Sequence, residues 1–393
     1  MNEQILAPEV QHYLQQHETA APTSLALRKS PFLHVYPAEL AQQLDGRQRC
    51  RKKLPLWYST PNIYYPEKLS VEQASSQHTA AYKSSLIAEQ SRIIDLTGGF
   101  GVDAYYFAQR AKTVAYCERN ESLARIAQYN ARILGADNID FIAANGLMHL
   151  QSQADDTFDY SYIDPSRRID KRKVFLLEDC EPNVVALQDW LLQKTKKSLI
   201  KSAPLLDISS ALSVLKRVCE VHIISVDNEC KELLFVLDRE YMDAPQIIVA
   251  ALKGGMAQRF QFYVDEEKSA TTDFGHPEGY LYEPDAALLK SGAFKLIGQR
   301  YGLKKLHQHT HLYTSVEANP DFMGRTFRID SMMLYSDFKK NKATTQANVS
   351  TRNFPLKSEE LRKRHRIDEG GNRYLFFCTG MADTLLVIFT SKC

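Results

Sequence analysis

The chain has 393 residues, more than one hydrophobic core normally supports, so its length predicts a large domain with smaller ones attached. Its hydrophobic fraction of 44% and charged fraction of 24% are those of an ordinary globular protein and exclude a disordered or fibrous one. A formal net charge of +2 excludes a strongly charged polyelectrolyte, so any attraction to nucleic acid has to come from local clusters of basic residues.

The first ten residues, MNEQILAPEV, lack the basic start and apolar run of a secretion signal, and no later stretch is apolar enough to cross a bilayer. We therefore expect a cytoplasmic protein. The seven cysteines are scattered and form no C-x-x-C pair that would favour zinc or a disulfide framework. They are predicted to be reduced structural thiols.

Residues 1–69 predict a small helical N-terminal region. The stretches EVQHYLQQ and PAELAQQLDG have helical character, and Pro22-Thr23-Ser24 is typical of a helix start. A basic cluster, RQRCRKKLPLWY, follows and is interpreted as a solvated helix end joined to a linker. A helix from Ser70 to Tyr82 then leads into the first clear strand.

From Arg92 onward the pattern repeats strand, turn and helix, which predicts an α/β domain with a Rossmann-like, largely parallel sheet. The seven candidate strands are RIIDL, TVAYCE, IDFIAA, FDYSYID, KSLIKSA, VCEVHIISV and ELLFVLD. The last two are joined through a short loop that contains Asp227-Asn228-Glu229, so they are predicted to run antiparallel. Beyond Met242 the pattern changes to a mixed α+β one, and we place a domain boundary after residue 265.

A glycine-rich turn follows the first strand in the segment IIDLTGGFGVDAYYFA. Without Cβ atoms, Gly99 and Gly101 let the backbone approach a ligand, and the next helix offers unpaired N–H groups. Thr97 precedes them in the same turn, and Glu118 ends the next strand. A carboxylate at that position can accept hydrogen bonds from both hydroxyls of a ribose. The alternative is a tight turn with a surface glutamate.

Two cofactors fit this turn, because Gly99 to Ala104 also satisfies the G-x-G-x-x-A pattern of nicotinamide dinucleotide sites. Asp95, four residues before Gly99, favours S-adenosyl-L-methionine (AdoMet), whose ammonium needs a counter-charge, whereas a pyrophosphate would be repelled. Asn145, after the third strand, is a candidate contact for the adenine amine. An ordinary Asn-Gly turn is an equal alternative.

The fourth strand ends in Asp164-Pro165-Ser166-Arg167-Arg168. With this motif the sequence resembles the class I AdoMet-dependent methyltransferases over roughly residues 71–238. LTGGFGVDA is similar to their first motif, and DPSRR to a variant of the Asn/Asp-Pro-Pro-aromatic motif of enzymes that methylate amines on bases or proteins. The resemblance implies a seven-stranded methyltransferase sheet in which Asp164 and the Pro165 carbonyl hold the target amine.

The motif departs from the family pattern at two positions. Ser166 replaces the second proline, and Arg167 replaces the aromatic residue that stacks on the target ring. A guanidinium can itself stack on a base or bind a phosphate, which would suit a nucleic acid. The alternative is a strand-ending turn whose arginines pair with Glu178 or Asp179.

The whole chain resembles bacterial proteins that join such a domain to a ferredoxin-like segment and a THUMP-like C-terminal domain. The resemblance is carried by EQASSQHTAAYK, DPSRR, GYLYEPDAALLKSGAF, LYTS and NFPLKSEELRKRHRIDEGGNRYLFF. It implies a methyltransferase domain over 70–265, a ferredoxin-like segment over 266–320 and a THUMP-like domain over 321–393. Because THUMP domains are associated with RNA modification, it also implies tRNA or rRNA as the substrate.

The THUMP-like segment contains a basic run behind Glu359 and Glu360. Its cations could contact RNA or form a solvated helix face, and neither is favoured. They are Arg362, Lys363, Arg364 and Arg366. The alternating His307, His309 and His311 would share one face of a strand, but no carboxylate or cysteine is spaced for a metal, so no metal site is predicted.

Three interpretations follow. The first is an AdoMet-dependent methyltransferase that acts on a base amine of tRNA or rRNA. The second is a nicotinamide-dependent oxidoreductase on the same half-fold. The third is an RNA-binding protein whose methyltransferase domain has lost activity, motivated by the altered DPSRR motif. Cofactor binding separates the second interpretation from the others, and methyl transfer separates the first from the third.

Overall fold

The computed structural model describes residues 1–167, 176–340 and 345–393. For Arg167 and Thr345 it describes the backbone alone. The described chain divides into two compact units. The first comprises Met1–Cys219 and Leu233–Asp243, and the second comprises Glu220–Glu232 and Ala244–Cys393. Among the described residues, no helix is long and apolar enough to span a membrane.

Six helices open the first unit, and the first four confirm the predicted helical region over residues 1–69. The single helix predicted from Ser70 to Tyr82 was wrong, because the backbone becomes extended at Ala74 and separates two helices. The first four begin with proline, whose fixed φ suits the first helical position and whose missing N–H has no helical partner there. They follow a short 3-10 turn, Glu3–Leu6. The helices are α1 (Pro8–Gln16), α2 (Pro22–Ala26), α3 (Pro37–Lys53), α4 (Pro55–Ser59), α5 (Lys68–Gln73) and α6 (Gln77–Ser84).

Strands and helices then alternate as the sequence predicts, and each of the seven predicted strands is found. In chain order the elements are β1 (Arg92–Asp95), α7 (Val102–Ala108), β2 (Thr113–Cys117), α8 (Glu121–Ile133), β3 (Ile139–Ile142), α9 (Gly146–Ser152), β4 (Phe158–Ile163), β5 (Ser166–Arg167), the 3-10 turn Leu177–Asp179, β6 (Cys180–Glu181), α10 (Val184–Lys194), β7 (Thr195–Ser202), α11 (Ile208–Val214), β8 (Val218–Val226) and β9 (Glu229–Asp238).

Within the first unit the large sheet has the strand order β9-β7-β4-β1-β2-β3. Strands β7, β4, β1, β2 and β3 are parallel to their neighbours, whereas β9 runs antiparallel to β7. The predicted Rossmann-like methyltransferase sheet is therefore confirmed. Parallel strands place their carboxyl ends at one edge, so the residues that follow β1, β2 and β4 meet there.

The second unit is the α+β module that the sequence predicts. Its elements are β10 (Gln246–Lys253), β11 (Met256–Tyr263), α12 (Val264–Ser269), β12 (Tyr280–Pro284), α13 (Ala286–Lys290), α14 (Phe294–Tyr301), β13 (Lys304–His307), β14 (Thr310–Ser315), β15 (Gly324–Leu334), α15 (Tyr335–Phe338), β16 (Thr345–Gln346), β17 (Asn348–Arg352), α16 (Ser358–His365), β18 (Ile367–Asp368), β19 (Arg373–Thr379), the 3-10 turn Met381–Asp383 and β20 (Leu385–Lys392).

Seven strands of this unit form one sheet in the order β13-β14-β12-β15-β20-β19-β17. The prediction that three alternating histidines share one strand face was wrong, because His309 lies in the turn between β13 and β14. Among the described residues, no group of three His, Cys, Asp or Glu side chains could hold a metal ion. The boundaries predicted after residues 69, 265 and 320 stay predictions.

Candidate active site

A cavity of about 730 Å³ lies in the first unit, where β1, β2 and β4 end. The strand-end positions that the sequence analysis selected converge on it. Its lining includes the turn Leu96–Gly101, the segments Cys117–Asn120 and Ala144–Leu147, the residues Ser75, Asp103, Asp164 and Ser166, and the segment Glu181–Asn183.

Glycines shape the turn at the floor of this cavity. Gly99 and Gly101 have φ values of 55° and 79°, in the left-handed region that side chains rarely adopt. Gly98 was not singled out from the sequence, yet a Cβ there would lie 2.2 Å from the Tyr116 ring. The turn can pass close to Tyr116 and open into α7 only because these positions carry no side chain.

Glu118 is held firmly at the cavity wall. Its Oε2 accepts a hydrogen bond from the Gly99 N–H at 3.0 Å, and its Oε1 accepts one from the Asn120 N–H at 2.8 Å. The side chain is half-buried and lines the cavity. Two backbone donors therefore fix the carboxylate beside the glycine turn, where it can still accept further hydrogen bonds from a ligand.

Asp95 lies beneath the turn and is not among the lining residues. The strand ladder continues one residue past it, since the Leu96 N–H bonds to the Tyr162 carbonyl, and Asp95 is therefore only 1% exposed. Burial, helped by neighbouring carboxylates, raises the pKa of Asp95 well above its ordinary value. The expectation that Asp95 presents a negative charge to the ligand does not match this placement.

Thr97 connects the ends of two strands. Its backbone N–H donates to Asp95 Oδ1 at 3.0 Å, and its Oγ1 accepts the N–H of Asp164 at 2.8 Å. Both Thr97 and Asp164 line the cavity. The turn after β1 is thus fastened to the chain that leaves β4.

Asn145 also lines the cavity, but its side-chain oxygen already caps α9. Oδ1 accepts hydrogen bonds from the Leu147 N–H at 2.9 Å and the Met148 N–H at 3.3 Å. Directly after it, a Cβ on Gly146 would lie 2.5 Å from the Leu96 carbonyl oxygen. A structural Asn-Gly turn explains this pair, and the amide nitrogen of Asn145 is the group left for a ligand.

The DPSRR motif is placed only in part. Asp164 and Ser166 line the cavity, whereas Pro165 is not among the lining residues, and the role expected for its carbonyl stays a prediction. The side chain of Arg167 and all of Arg168 lie outside the described residues. The stacking or phosphate-binding role expected for Arg167 therefore stays a prediction.

Lys201 was missed in the sequence and contacts Asp164 directly. Its Nζ lies 2.5 Å from Asp164 Oδ2, and the side chains of Lys201 and Asp164 are 13% and 32% exposed. In the sequence Lys201 is one of several polar residues within the predicted strand KSLIKSA, and nothing in that segment indicates its partner. Only the parallel pairing of β4 with β7 brings it beside the strand-end carboxylate.

A second charged group was also missed. Lys83 is fully buried, with its Nζ 2.9 Å from Asp103 Oδ1 and 2.6 Å from Ser75 Oγ. Asp103 Oδ2 accepts hydrogen bonds from Ser75 at 2.8 Å and Tyr162 at 2.9 Å. Burial alone would raise the pKa of Asp103, but Lys83 and its other polar neighbours lower it, so this carboxyl is ionised. The network joins α6, α7 and β4.

The lining of the cavity is acidic overall. Among the residues that the structure describes, its charged members are four carboxylates and one guanidinium: Asp103, Glu118, Asp164, Glu181 and Arg119. Arg119 lies 3.6 Å from Glu181, and both side chains are exposed. Lys83 and Lys201 compensate part of the negative charge from behind the wall. The cavity therefore favours a cationic ligand over an anionic one.

Comparisons with known domains and structures agree with this fold. A ferredoxin-like domain model matches residues 280–322, and a THUMP domain-like model matches residues 324–392. These matches confirm the C-terminal resemblance. A crystal structure described as that of a "putative methyltransferase from Porphyromonas gingivalis W83" is 32% identical, covers 100% of this chain and 98% of its own, and has a TM-score of 0.87.

More distant structures share only part of the chain. An rRNA methylase from Streptococcus thermophilus is 15% identical and covers 41% of this chain and 93% of its own, with a TM-score of 0.30. TrmK from M. capricolum in complex with S-adenosyl-homocysteine is 17% identical and covers 42% and 68%, with a TM-score of 0.33. Likenesses this weak support no conclusion about function. A comparison with curated proteins gave no match.

The buried Asp95 leads to a prediction about stability. Asp95→Asn should raise the unfolding temperature at pH 8 and change it little at pH 4. The unfolded chain ionises this carboxyl above its ordinary pKa of 3.8, whereas the folded protein keeps it protonated to higher pH. The free energy of unfolding therefore falls by about 1.4 kcal/mol per pH unit in that interval, and asparagine removes this loss while keeping an acceptor for Thr97.

Thermal unfolding of both proteins between pH 4 and pH 8 measures the effect. The control is Asp189→Asn, which changes an exposed aspartate paired with Lys216. A difference between Asp95→Asn and the parent that does not grow with pH would show that Asp95 is ionised in the folded protein.

Proposed function

Since the chain belongs to the class I methyltransferase-like family with ferredoxin-like and THUMP-like C-terminal domains, we propose that it is an AdoMet-dependent methyltransferase acting on a base amine of tRNA or rRNA. The observation that carries the choice of cofactor is the acidic cavity at the ends of β1, β2 and β4. AdoMet brings a sulfonium and an ammonium, which suit four carboxylates and one guanidinium. A dinucleotide brings a pyrophosphate, which such a lining repels.

The residues that line the cavity fit AdoMet in two further ways. Glu118 is fixed by two backbone N–H groups beside the glycine turn, where it is proposed to accept the ribose hydroxyls. Gly99 and Gly101 keep the floor clear of side chains, so the ligand can lie against the backbone. Thr97 and Asn145 complete the proposed cofactor wall, and Asp95 supports the turn from below.

Bound AdoMet would supply a methyl group on a positively charged sulfur, which is already activated for transfer. The task left to the protein is to hold the acceptor in line and exclude competing water. Asp164 is proposed to accept a hydrogen bond from the amine, because it lines the cavity and its backbone is fixed by Thr97. Its hydrogen bond would point the nitrogen lone pair at the methyl carbon.

RNA as substrate is supported by the THUMP domain-like match and by exposed cations on the second unit. Arg362 forms an ion pair with Glu369, so it is already neutralised. Lys363, Arg364 and Arg366 are exposed. The Oε2 of Glu360 accepts a hydrogen bond from the Lys357 N–H as a helix cap. Three of the four predicted RNA contacts therefore remain candidates.

The function is tested by incubating the protein with labelled AdoMet and RNA from cells that lack it, followed by nucleoside mass spectrometry. A methylated nucleoside that appears only with the protein supports the proposal. Cofactor binding without methylation of any RNA would instead support an RNA-binding protein that has lost activity.

Cofactor choice gives a second prediction. Calorimetric titration should show binding of S-adenosyl-homocysteine and no comparable binding of NADH. Glu118→Ala should weaken S-adenosyl-homocysteine binding by on the order of 1 to 3 kcal/mol, since it removes a charged acceptor from two hydroxyls. Glu121→Ala, which changes an exposed residue paired with Arg125, is the control and should bind like the parent. Preferential NADH binding would overturn the methyltransferase proposal.

The third prediction concerns the acceptor. Asp164→Ala should abolish methyl transfer while leaving S-adenosyl-homocysteine affinity nearly unchanged, because Asp164 is assigned to the amine and not to the cofactor. Single-turnover assays and calorimetry measure the two quantities separately. Equal loss of both would place Asp164 in the cofactor pocket, and surviving transfer would show that the motif is structural.

The fourth prediction concerns RNA binding. Replacing Lys363, Arg364 and Arg366 with glutamine should flatten the dependence of log K on log salt by about 0.7 to 0.9 per contact, or roughly two to three units in all. Arg362→Gln is the matched control and should leave the slope unchanged, since Arg362 is paired with Glu369. Fluorescence anisotropy with a tRNA at several salt concentrations gives the slopes. Equal slopes for parent and triple variant would move RNA recognition away from α16.

A further inference from the structure

The ion pair between Lys201 and Asp164 connects two neighbouring strands at the cavity edge. In the parallel register of β4 and β7, Ile163 lies opposite Ile200, so the next residues, Asp164 and Lys201, are also neighbours. The ammonium donates a hydrogen bond to Oδ2 of the carboxylate. Asp164 lines the cavity and Lys201 does not, so the lysine approaches the carboxylate from behind the wall.

Other charges near Asp164 would disturb an unpaired carboxylate. Asp103 from α7, Glu118 directly after β2, and Asp164 each act by their charge on Asp95 at the end of β1, so acidic groups cluster at this end of the sheet. Lys83 from α6 forms an ion pair with Asp103. Lys201 also acts on Asp103 by its charge, as its effect on the pKa of that residue shows. Lys201 is therefore placed to hold Asp164 beside these acidic groups.

We propose that Lys201 is a positioning residue for methyl transfer, which fixes the Asp164 carboxylate by one oxygen and leaves the other to accept the hydrogen bond of the substrate amine. This inference rests on the proposed function and adds to it a residue and a division of roles. In this division of roles Asp164 orients the amine, and the proton of the methylated nitrogen leaves to solvent.

The atoms balance without a protein base. The lone pair of the amine nitrogen forms the new bond to the methyl carbon, while the carbon–sulfur bond breaks and its electrons stay on sulfur. The nitrogen carries the positive charge until one of its protons passes to water. Solvent can receive that proton, since the Asp164 side chain is 32% exposed.

Lys201→Met tests the proposal in single-turnover transfer to the RNA identified above. It should slow transfer by about tenfold or more, as expected when a substrate-holding group loses its orientation, while S-adenosyl-homocysteine affinity stays as in the parent. Lys201→Arg should restore most of the rate, because a guanidinium can hold the same oxygen. Lys197→Met is the matched control on the same strand, since Lys197 pairs with Asp238 and does not line the cavity.

A double-mutant cycle shows whether Lys201 acts through Asp164. In an Asp164→Asn background the Lys201→Met change should have little further effect, because the ammonium then has no carboxylate to hold. Thermal unfolding of each variant identifies any loss of rate that comes from loss of structure. If Lys201→Met slows transfer equally in the parent and in Asp164→Asn, Lys201 does not act through Asp164.

The outcomes separate this inference from the function it rests on. A parent that transfers methyl groups together with a Lys201→Met variant that transfers equally fast contradicts the inference alone. Loss of S-adenosyl-homocysteine affinity in Lys201→Met also contradicts it, because Lys201 would then serve the cofactor pocket. A parent that binds S-adenosyl-homocysteine but methylates no RNA contradicts the proposed function and this inference with it.

Discussion

Parallel pairing of β4, β1 and β2 is the constraint on which the candidate site depends. Each of these strands runs in the same direction, so the chain leaves all three at one edge of the sheet. Glu118 and Asp164, which lie 46 positions apart in the chain, thereby reach the same cavity. The hydrogen bond from the Asp164 N–H to Thr97 fastens two of the strand ends together. The glycine turn can then be short, since the sheet and not the turn fixes the distances between the ends of these strands.

Two of the carboxylates in this region are paired with lysines, whereas Asp95 is held differently. Lys83 and Asp103 form one pair and Lys201 and Asp164 form another. Removing one member of a buried pair leaves an uncompensated charge and costs about 3 to 5 kcal/mol, whereas the intact pair contributes much less. Among the described residues Asp95 has no cation partner, and burial raises its pKa well above the ordinary value. The acidity that a ligand meets therefore comes from the lining carboxylates.

The sequence predicted the parts of the site that are encoded locally. A run of apolar residues followed by glycines or by an acidic residue marks a strand end, and this pattern identified the turn around Gly99, Glu118 and Asp164. The depth of Asp95 could not be predicted, because the strand pattern RIIDL places it near a strand end but does not show that the following turn covers it. Lys201 could not be predicted either. Its partner is set by the register between β4 and β7, which no pattern within KSLIKSA contains.

That register has a consequence for how the sheet assembles. Successive side chains of a strand point to opposite faces, so a slip of β7 by one residue would bring Ile200 or Ser202 to the position of Lys201. Both are buried, and neither carries a charge. Asp164 would then be left beside an apolar or neutral group, and the ammonium would be turned to the other face of the sheet. The ion pair thus discriminates against misaligned pairings, which gives it a part in selecting the folded state in addition to any part in catalysis.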